Sequence, residues 1–217
     1  MNAPVGGQTP RQYPVNLIVE DRPCLVVGGG RVAARKAEGL LACGGRVHVV
    51  APAIGDEVRA LAPPATFEAR PYRRGEAASY RLVVAATDSP EVNRAVFTDG
   101  ERAGVWVNGA DDPDNCSFTL PSVLRRGALL VTVSTGGRSP ALSAWLRARL
   151  EAELGPEYEA LLELLATERD AIRAAGRSSE GVDWRSALDS GMLDMIREGQ
   201  LVKARERLQA CLSSSSD

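Results

Sequence analysis

Histidine and lysine are scarce in this chain of 217 residues, which holds one histidine, His48, and only two lysines, Lys36 and Lys203. His48 lies in the middle of an apolar run at 46–50, where a structural histidine in a strand is the expected interpretation. A histidine-based catalytic triad or a histidine-rich metal site would need His48 as its sole imidazole, and its place within a strand argues against both. Acid–base chemistry is left to carboxylates, tyrosines, cysteines or one of the two lysines.

Cysteine is sparse as well: Cys24, Cys43, Cys116 and Cys211 are scattered and form no CxxC pair. This usage predicts reduced thiols and a cytoplasmic protein. The net charge of −2 argues against nucleic acid as the main partner. No apolar run approaches the roughly 20 residues of a membrane span. The first residues are not a basic segment followed by an apolar one, so we expect no signal peptide.

Segment 23–45 predicts a strand, a glycine turn and a helix in succession. Residues 24–27 are an apolar run, three glycines follow, and good helix formers come next. Gly28, Gly30 and Ala33 fit the G-x-G-x-x-[GA] spacing, in which glycine lets a pyrophosphate approach the backbone at the helix N-terminus. This context predicts dinucleotide binding. A tight turn without a ligand is the alternative.

The second strand, 46–50, ends without the acidic residue that usually holds the adenosine ribose about 20 residues past the first glycine. Ala51, Pro52 and Ala53 follow instead, and no arginine or lysine stands at the tip to take a 2′-phosphate. This position therefore selects neither NAD nor NADP.

Strands and helices alternate through the first half of the chain, which predicts an α/β fold with a Rossmann-like, doubly wound parallel sheet over 1–118. The predicted strands are 15–20, 24–27, 46–50, 66–70, 81–86 and 105–108. Strands at 117–120 and 127–134, followed by a helix from Pro140, predict a small α/β segment at 119–153. Three apolar stripes at helical spacing predict a helical domain at 154–217.

Ligands of such a sheet bind beyond the carboxyl ends of its strands. Thr87 follows one strand, on the side where the nicotinamide is expected, and Asn108 and Asp111 end another. Asp111 can project into the crevice as a general base, or can be a turn residue that hydrogen bonds its own backbone. Spacing alone leaves both interpretations open.

A second element suited to anions lies at Thr135, Gly136, Arg138 and Ser139, where small residues precede a helix N-terminus. The alternative is a capped helix start with no ligand. Further arginines in this region would suit a substrate with several carboxylates. They are Arg125, Arg126, Arg147 and Arg149.

The chain resembles the siroheme-synthesis dehydrogenases, which are precorrin-2 dehydrogenases and in some members also sirohydrochlorin ferrochelatases. The likeness covers nearly the whole chain and is weakest in the final helices. It is carried by Tyr13-Pro14, VVGGGRVAARKAEGLL at 26–41, VVAP at 49–52, AATDSPEVN at 85–93, VNGADDPDNCSF at 107–118 and the segment 120–151.

The resemblance implies NAD as the cofactor, held at Arg31 and Val32 of the glycine turn and at Pro52 and Ala53 after the second strand. It places Asp111 on the family's catalytic aspartate. It also implies a homodimer formed through 119–153.

The implied reaction is the oxidation of precorrin-2 to sirohydrochlorin, with ferrous ion as a second substrate in members that also make siroheme. Two positions depart from the family: Asn108-Gly-Ala-Asp111 replaces the usual NVVD, and Thr135 stands where some members carry serine. Because the chain ends before a methyltransferase domain could begin, we expect another protein to methylate the precursor. A non-catalytic, dimeric NAD-sensing module is the alternative function.

Overall fold

The computed structural model describes residues 11–110 and 112–214. The chain divides into two compact units, Met1–Leu120 and Pro121–Asp217. Among the described residues, no helix combines the length and apolar character needed to cross a membrane.

The first unit is a parallel sheet of five strands in the order β3-β2-β1-β4-β5, flanked by helices. The strands are β1 Pro23–Val27, β2 Arg46–Ala51, β3 Thr66–Ala69, β4 Leu82–Ala85 and β5 Trp106–Gly109. The helices are α1 Arg31–Leu41, α2 Asp56–Arg59 and α3 Pro90–Ala103, with 3₁₀ turns at Glu76–Ser79 and Pro113–Asn115.

Alternation along β1 explains why helices cover both faces of the sheet. Cys24 and Val26 pack into one apolar cluster with Ala33 of α1. Leu25 and Val27 point to the opposite face and pack with Val96 of α3. A strand buried on both faces reads as a continuous apolar run, which is the pattern of a central parallel strand. The predicted α/β, doubly wound fold is confirmed.

The second unit begins with an antiparallel pair, β6 Ser122–Arg126 and β7 Leu129–Val133, and continues entirely in helices. The helices are α4 Pro140–Glu153, α5 Glu157–Ala174, α6 Trp184–Leu188, α7 Met192–Arg197 and α8 Leu201–Ser214. Met192 and Leu208, both fully buried, lie in the apolar core that joins α5 to α8. Most apolar positions of the predicted stripes at 154–217 are therefore core positions, whereas Leu188 and Leu201 are exposed.

Two predicted strands are wrong. Residues 11–19 have no regular secondary structure, and Val15 and Ile18 are exposed, so this segment pairs with no strand. Residues 117–120 are also irregular, and the strand begins later, at Ser122. One backbone bond and one side-chain bond hold the start of this segment instead of a ladder. The Ser117 N–H donates to the Val107 carbonyl at 2.8 Å, and the Val107 N–H donates to the Ser117 hydroxyl at 2.7 Å.

Candidate functional site

The glycine turn lies where β1, β2 and β4 end, and its backbone is packed against the neighbouring loops. Gly28 has a φ of +134°, and its N–H donates to the Val50 carbonyl at 2.9 Å. A Cβ on Gly28 would lie 2.2 Å from the Ala86 carbonyl oxygen, and a Cβ on Gly29 would lie 1.9 Å from that of Ala53. Only glycine fits either position without displacing backbone.

Gly30 has a different environment, because a Cβ there would meet nothing within 4 Å. Gly30 is the N-cap of α1 and provides no side-chain cap. The N–H groups of Arg31, Val32 and Ala33 have no acceptor among the described residues. Open space in front of unpaired helix N–H groups is the arrangement that binds a pyrophosphate. These residues therefore fit a dinucleotide.

The loop after β2 closes one side of this turn. The Gly55 N–H donates to the Gly29 carbonyl at 2.9 Å, which holds the loop against the glycines. Pro52 and Ala53 are exposed at the tip of β2, while Ala51 is buried beneath them. The tip thus presents backbone and small apolar groups to a ligand, as its sequence indicates.

Thr87 follows β4, and its backbone and side-chain polar groups are hydrogen bonded to Asn93 and Ser89. Its N–H and its hydroxyl lie 3.3 and 2.7 Å from Asn93 Oδ1, and Asn93 Nδ2 donates to the Thr87 carbonyl at 2.9 Å. Ser89 N–H donates to the Thr87 hydroxyl at 3.2 Å. Asn93 is buried at 6% exposure, so these bonds fix the strand end beside the glycine turn.

Asn108 lies in β5, with 6% of its surface exposed. Its Nδ2 donates to the Phe118 carbonyl at 3.0 Å, and its Oδ1 has no partner among the described residues. Asn108 also forms an isolated bridge with Cys116. The side chain thus ties the end of β5 to the segment that returns beside it.

Asp111 lies outside the described residues. On either side of it, the Ala110 N–H donates to the Ala85 carbonyl at 2.8 Å and the Asp112 N–H donates to the Gly109 carbonyl at 3.3 Å. Ala110 and Ala85, joined by the first of these bonds, lie at the carboxyl ends of β5 and β4, the edge that also carries the glycine turn.

Two residues that the sequence analysis did not single out hold this loop. Asn115 Nδ2 donates to the Asp112 carboxylate. The Cys116 sulfur lies 3.2 Å from the carbonyl oxygens of both Gly109 and Asp112. Burial raises the pKa of the Cys116 thiol, so it stays protonated and can donate at neutral pH. Their only sequence signal is the polar run Asn-Cys-Ser directly after the Asp-rich turn.

His48, the sole histidine, has a structural role, because its side chain contacts the neighbouring strand β3. Its Nδ1 lies 2.8 Å from the Thr66 hydroxyl, and its ring stacks on Tyr80 with centroids 6.4 Å apart. Among the described residues, no group of three or more histidine, cysteine, aspartate or glutamate side chains could hold a metal ion.

The remaining predicted residues, Thr135, Gly136, Arg138 and Ser139, lie in the second unit, between β7 and α4. The Thr135 hydroxyl accepts from the Ser139 N–H at 3.1 Å, and the Ser139 hydroxyl caps α4 by accepting from the Leu142 N–H at 3.2 Å. Gly136 has a φ of +62°. Arg138 is exposed and makes no ion pair with any described residue. The turn is a well-capped helix start with one unpaired cation.

Comparisons with known proteins agree with this arrangement. An "NAD(P)-binding" family model matches residues 15–122, and a "Sirohaem biosynthesis protein central" model matches residues 126–153. The siroheme synthase of Nitrosomonas europaea is 40% identical over 209 residues, which are 94% of this chain and 44% of that protein. The siroheme synthase of Chromobacterium violaceum is 37% identical, over 91% of this chain and 43% of that protein.

A solved structure, SirC, a precorrin-2 dehydrogenase, matches 92% of this chain and 98% of its own, with 26% identity and a TM-score of 0.70. The chain spans less than half the length of the two siroheme synthases. The glycine turn, the parallel sheet and these matches agree with one another, and the chain belongs to the siroheme-synthesis family, in which an NAD(P)-binding domain precedes the sirohaem central segment.

Proposed function

We propose that this chain oxidises precorrin-2 to sirohydrochlorin, with NAD as the oxidant. One observation carries the proposal: the open glycine turn at Gly30 belongs to a chain that matches a precorrin-2 dehydrogenase over nearly its whole length. NAD, when bound, supplies the hydride acceptor. The oxidation removes a hydride and a proton from the tetrapyrrole, and a base held by the chain would accelerate loss of the proton.

The cofactor residues follow from the geometry of the first unit. Gly28 forms the turn, and Gly30 leaves room for the pyrophosphate in front of the N–H groups of Arg31 and Val32. Pro52 and Ala53 border the adenosine ribose at the exposed tip of β2. Thr87, held by Asn93, borders the nicotinamide side at the end of β4.

Asp111 is the general base in this proposal. The composition supports it, because the only histidine is used by the sheet. The family resemblance supports it as well, since Asp111 matches the family's catalytic aspartate. Asn108, which ties β5 to the returning segment, supports the same edge and borders the substrate.

The substrate carries many carboxylates, and the turn before α4, in the second unit, carries an exposed cation that can pair with one of them. Arg138 is exposed and makes no ion pair with a described residue, and Gly136, with a φ of +62°, forms part of the turn that precedes it. Thr135 and Ser139 fix the shape of this turn by their mutual hydrogen bonds. A cation paired with a carboxylate gives a charge-assisted hydrogen bond, which is stronger than a neutral one.

We also propose a homodimer formed through 119–153, with 1–118 as the NAD-binding domain and 154–217 as the helical domain. An isolated two-stranded sheet such as β6–β7 is only marginally stable and gains from a partner. Val123, Leu142 and Trp145, all in this segment, are 40%, 47% and 54% exposed. Light scattering of the purified chain tests this, and a monomer at micromolar concentration would contradict it. All four cysteines are thiols rather than disulfides, which supports a cytoplasmic location.

The test of the base compares Asp111→Asn with Asp114→Asn, an exposed carboxylate of the same loop. Precorrin-2 oxidation by NAD is followed anaerobically, and NAD binding is measured separately. We expect Asp111→Asn to lower kcat by about 100-fold or more with an unchanged Kd for NAD, because general-base catalysis contributes roughly 10²–10⁴-fold. Asp114→Asn should change neither quantity.

Unchanged turnover in Asp111→Asn would overturn the assignment of the base. NAD binding by the wild-type chain without any turnover would favour a dimeric NAD-sensing module. Addition of ferrous ion to the product mixture tests for a second activity: metal uptake faster than in the absence of protein would identify ferrous ion as a further substrate.

A further inference from the structure

The loop after β2 places a carboxylate beside the glycine turn, although the tip of β2 has none. Gly55 donates its N–H to the Gly29 carbonyl, which fixes the start of α2 against the turn. A Cβ built on Gly55 would lie 2.8 Å from the Gly29 carbonyl oxygen and 3.5 Å from Glu57 Oε2. The Glu57 carboxylate and the glycine turn therefore flank the same point.

We propose that Glu57 binds the adenosine ribose hydroxyls and makes this chain select NAD over NADP. A ribose-binding acid normally stands at the tip of the second strand, and here Ala53 stands there instead. Glu57 lies four residues later in the chain, and the fold places its carboxylate on the same side of the glycine turn. This inference rests on the proposed dinucleotide cofactor and adds its specificity.

The charges around Glu57 suit this role. Its carboxylate is exposed and makes no ion pair or hydrogen bond with a described side chain. The cation on the same helix, Arg59, is directed elsewhere: its Nε donates to the Ile54 carbonyl at 3.1 Å, and its guanidinium lies 5.5 Å from the Phe67 ring centroid. Glu57 can therefore accept hydrogen bonds from a ribose.

The same carboxylate would repel the 2′-phosphate of NADP. A ribose with two free hydroxyls donates to the carboxylate, whereas a phosphate ester in that place brings like charges together with no donor between them. One side chain therefore both attracts NAD and rejects NADP, which is how a site gains specificity.

The experiment measures the dissociation constants of NAD and NADP by titration calorimetry on the full chain. The variants are Glu57→Gln, Glu57→Lys and, as a matched control, Asp56→Asn, which removes the neighbouring exposed carboxylate of α2. We expect the wild-type chain to bind NAD at least about tenfold more tightly than NADP, which corresponds to one hydrogen bond to a charged group. Glu57→Gln should remove most of this preference, Glu57→Lys should reverse it, and Asp56→Asn should preserve it.

An unchanged NAD-to-NADP ratio in Glu57→Gln would overturn the inference. An equal fall in the ratio for Asp56→Asn would overturn it too, because the effect would then be a general one of charge. Either result leaves the proposed function intact if the wild-type chain still oxidises precorrin-2 with NAD. Failure of the wild-type chain to bind either dinucleotide would contradict both proposals.

Discussion

The Cα of Gly28 faces the Ala86 carbonyl so closely that an added Cβ would lie 2.2 Å from its oxygen. Gly30, two residues further along, faces open space within 4 Å. Two glycines of one motif thus serve different ends: Gly28 lets β1 and the β4 loop approach each other, while Gly30 leaves room for a ligand. Substitutions at the two positions should separate stability from binding.

Gly28→Ala should destabilise the first unit. The substitution places a Cβ against backbone and forces alanine to a φ of +134°, each of which costs about 1–3 kcal/mol. Urea unfolding followed by circular dichroism measures the loss. A variant as stable as the wild-type chain would show that the turn relaxes without cost.

Gly30→Ala should fold normally but bind NAD at least about tenfold more weakly, because a methyl group enters the space that the pyrophosphate needs. Gly39→Ala, at an exposed position in the last turn of α1, is the matched control. It should leave the Kd for NAD unchanged and raise the free energy of unfolding by about 1 kcal/mol, since alanine is the better helix former. Wild-type affinity in Gly30→Ala would argue against a pyrophosphate at this turn.

Asn93→Ala should lower the free energy of unfolding by about 2–3 kcal/mol, because it leaves the N–H and carbonyl of Thr87 without their partner at a partly buried site, while the Thr87 hydroxyl keeps its bonds to Ser89. Thr87→Val removes only the hydroxyl and should cost about 1 kcal/mol. Chemical denaturation of both variants gives the two values. A larger loss for Thr87→Val than for Asn93→Ala would contradict the conclusion that the Asn93 amide holds this strand end.

Stability should fall in alkali, in part through Tyr72. Burial raises the pKa of Tyr72 above the ordinary 10.0, and its hydroxyl donates to Asp99 Oδ2 at 3.0 Å. A raised pKa in the folded state means that the stabilisation is complete below the unfolded value and is lost as the pH rises above it. Unfolding free energies of the wild-type chain and Tyr72→Phe should therefore converge above about pH 10. Tyr80, whose pKa burial also raises, contributes its own decline to both proteins.

The parallel sheet could be predicted from the sequence because buried central strands are continuous apolar runs that are easily recognised. Residues 24–27 are continuously apolar, and three glycines mark where β1 ends. The sequence was not sufficient for segment 117–120, where Ser117 and Asn108 bond across to backbone groups of another segment. Such bonds have no period along the chain, so the sequence pattern predicts a strand there and gives no sign of the support that Cys116 provides.

The carboxylate of Glu57 illustrates the same limit for the site. Sequence spacing predicts a ribose-binding acid at the tip of β2, where Ala53 stands instead. The spacing does not indicate that the residues after Ala53 lie against the glycine turn. The Gly55–Gly29 hydrogen bond, a contact between segments far apart in sequence, brings them there.

The most direct test of the proposed oxidation is the stoichiometry of a single anaerobic reaction. Precorrin-2 and NAD are mixed with the full chain, and NADH absorbance and the tetrapyrrole spectrum are recorded together. We predict that NADH and sirohydrochlorin appear in equal amounts and only when the chain is present. Bound NAD with no NADH formed, or sirohydrochlorin formed at the same rate without NAD, would contradict the account.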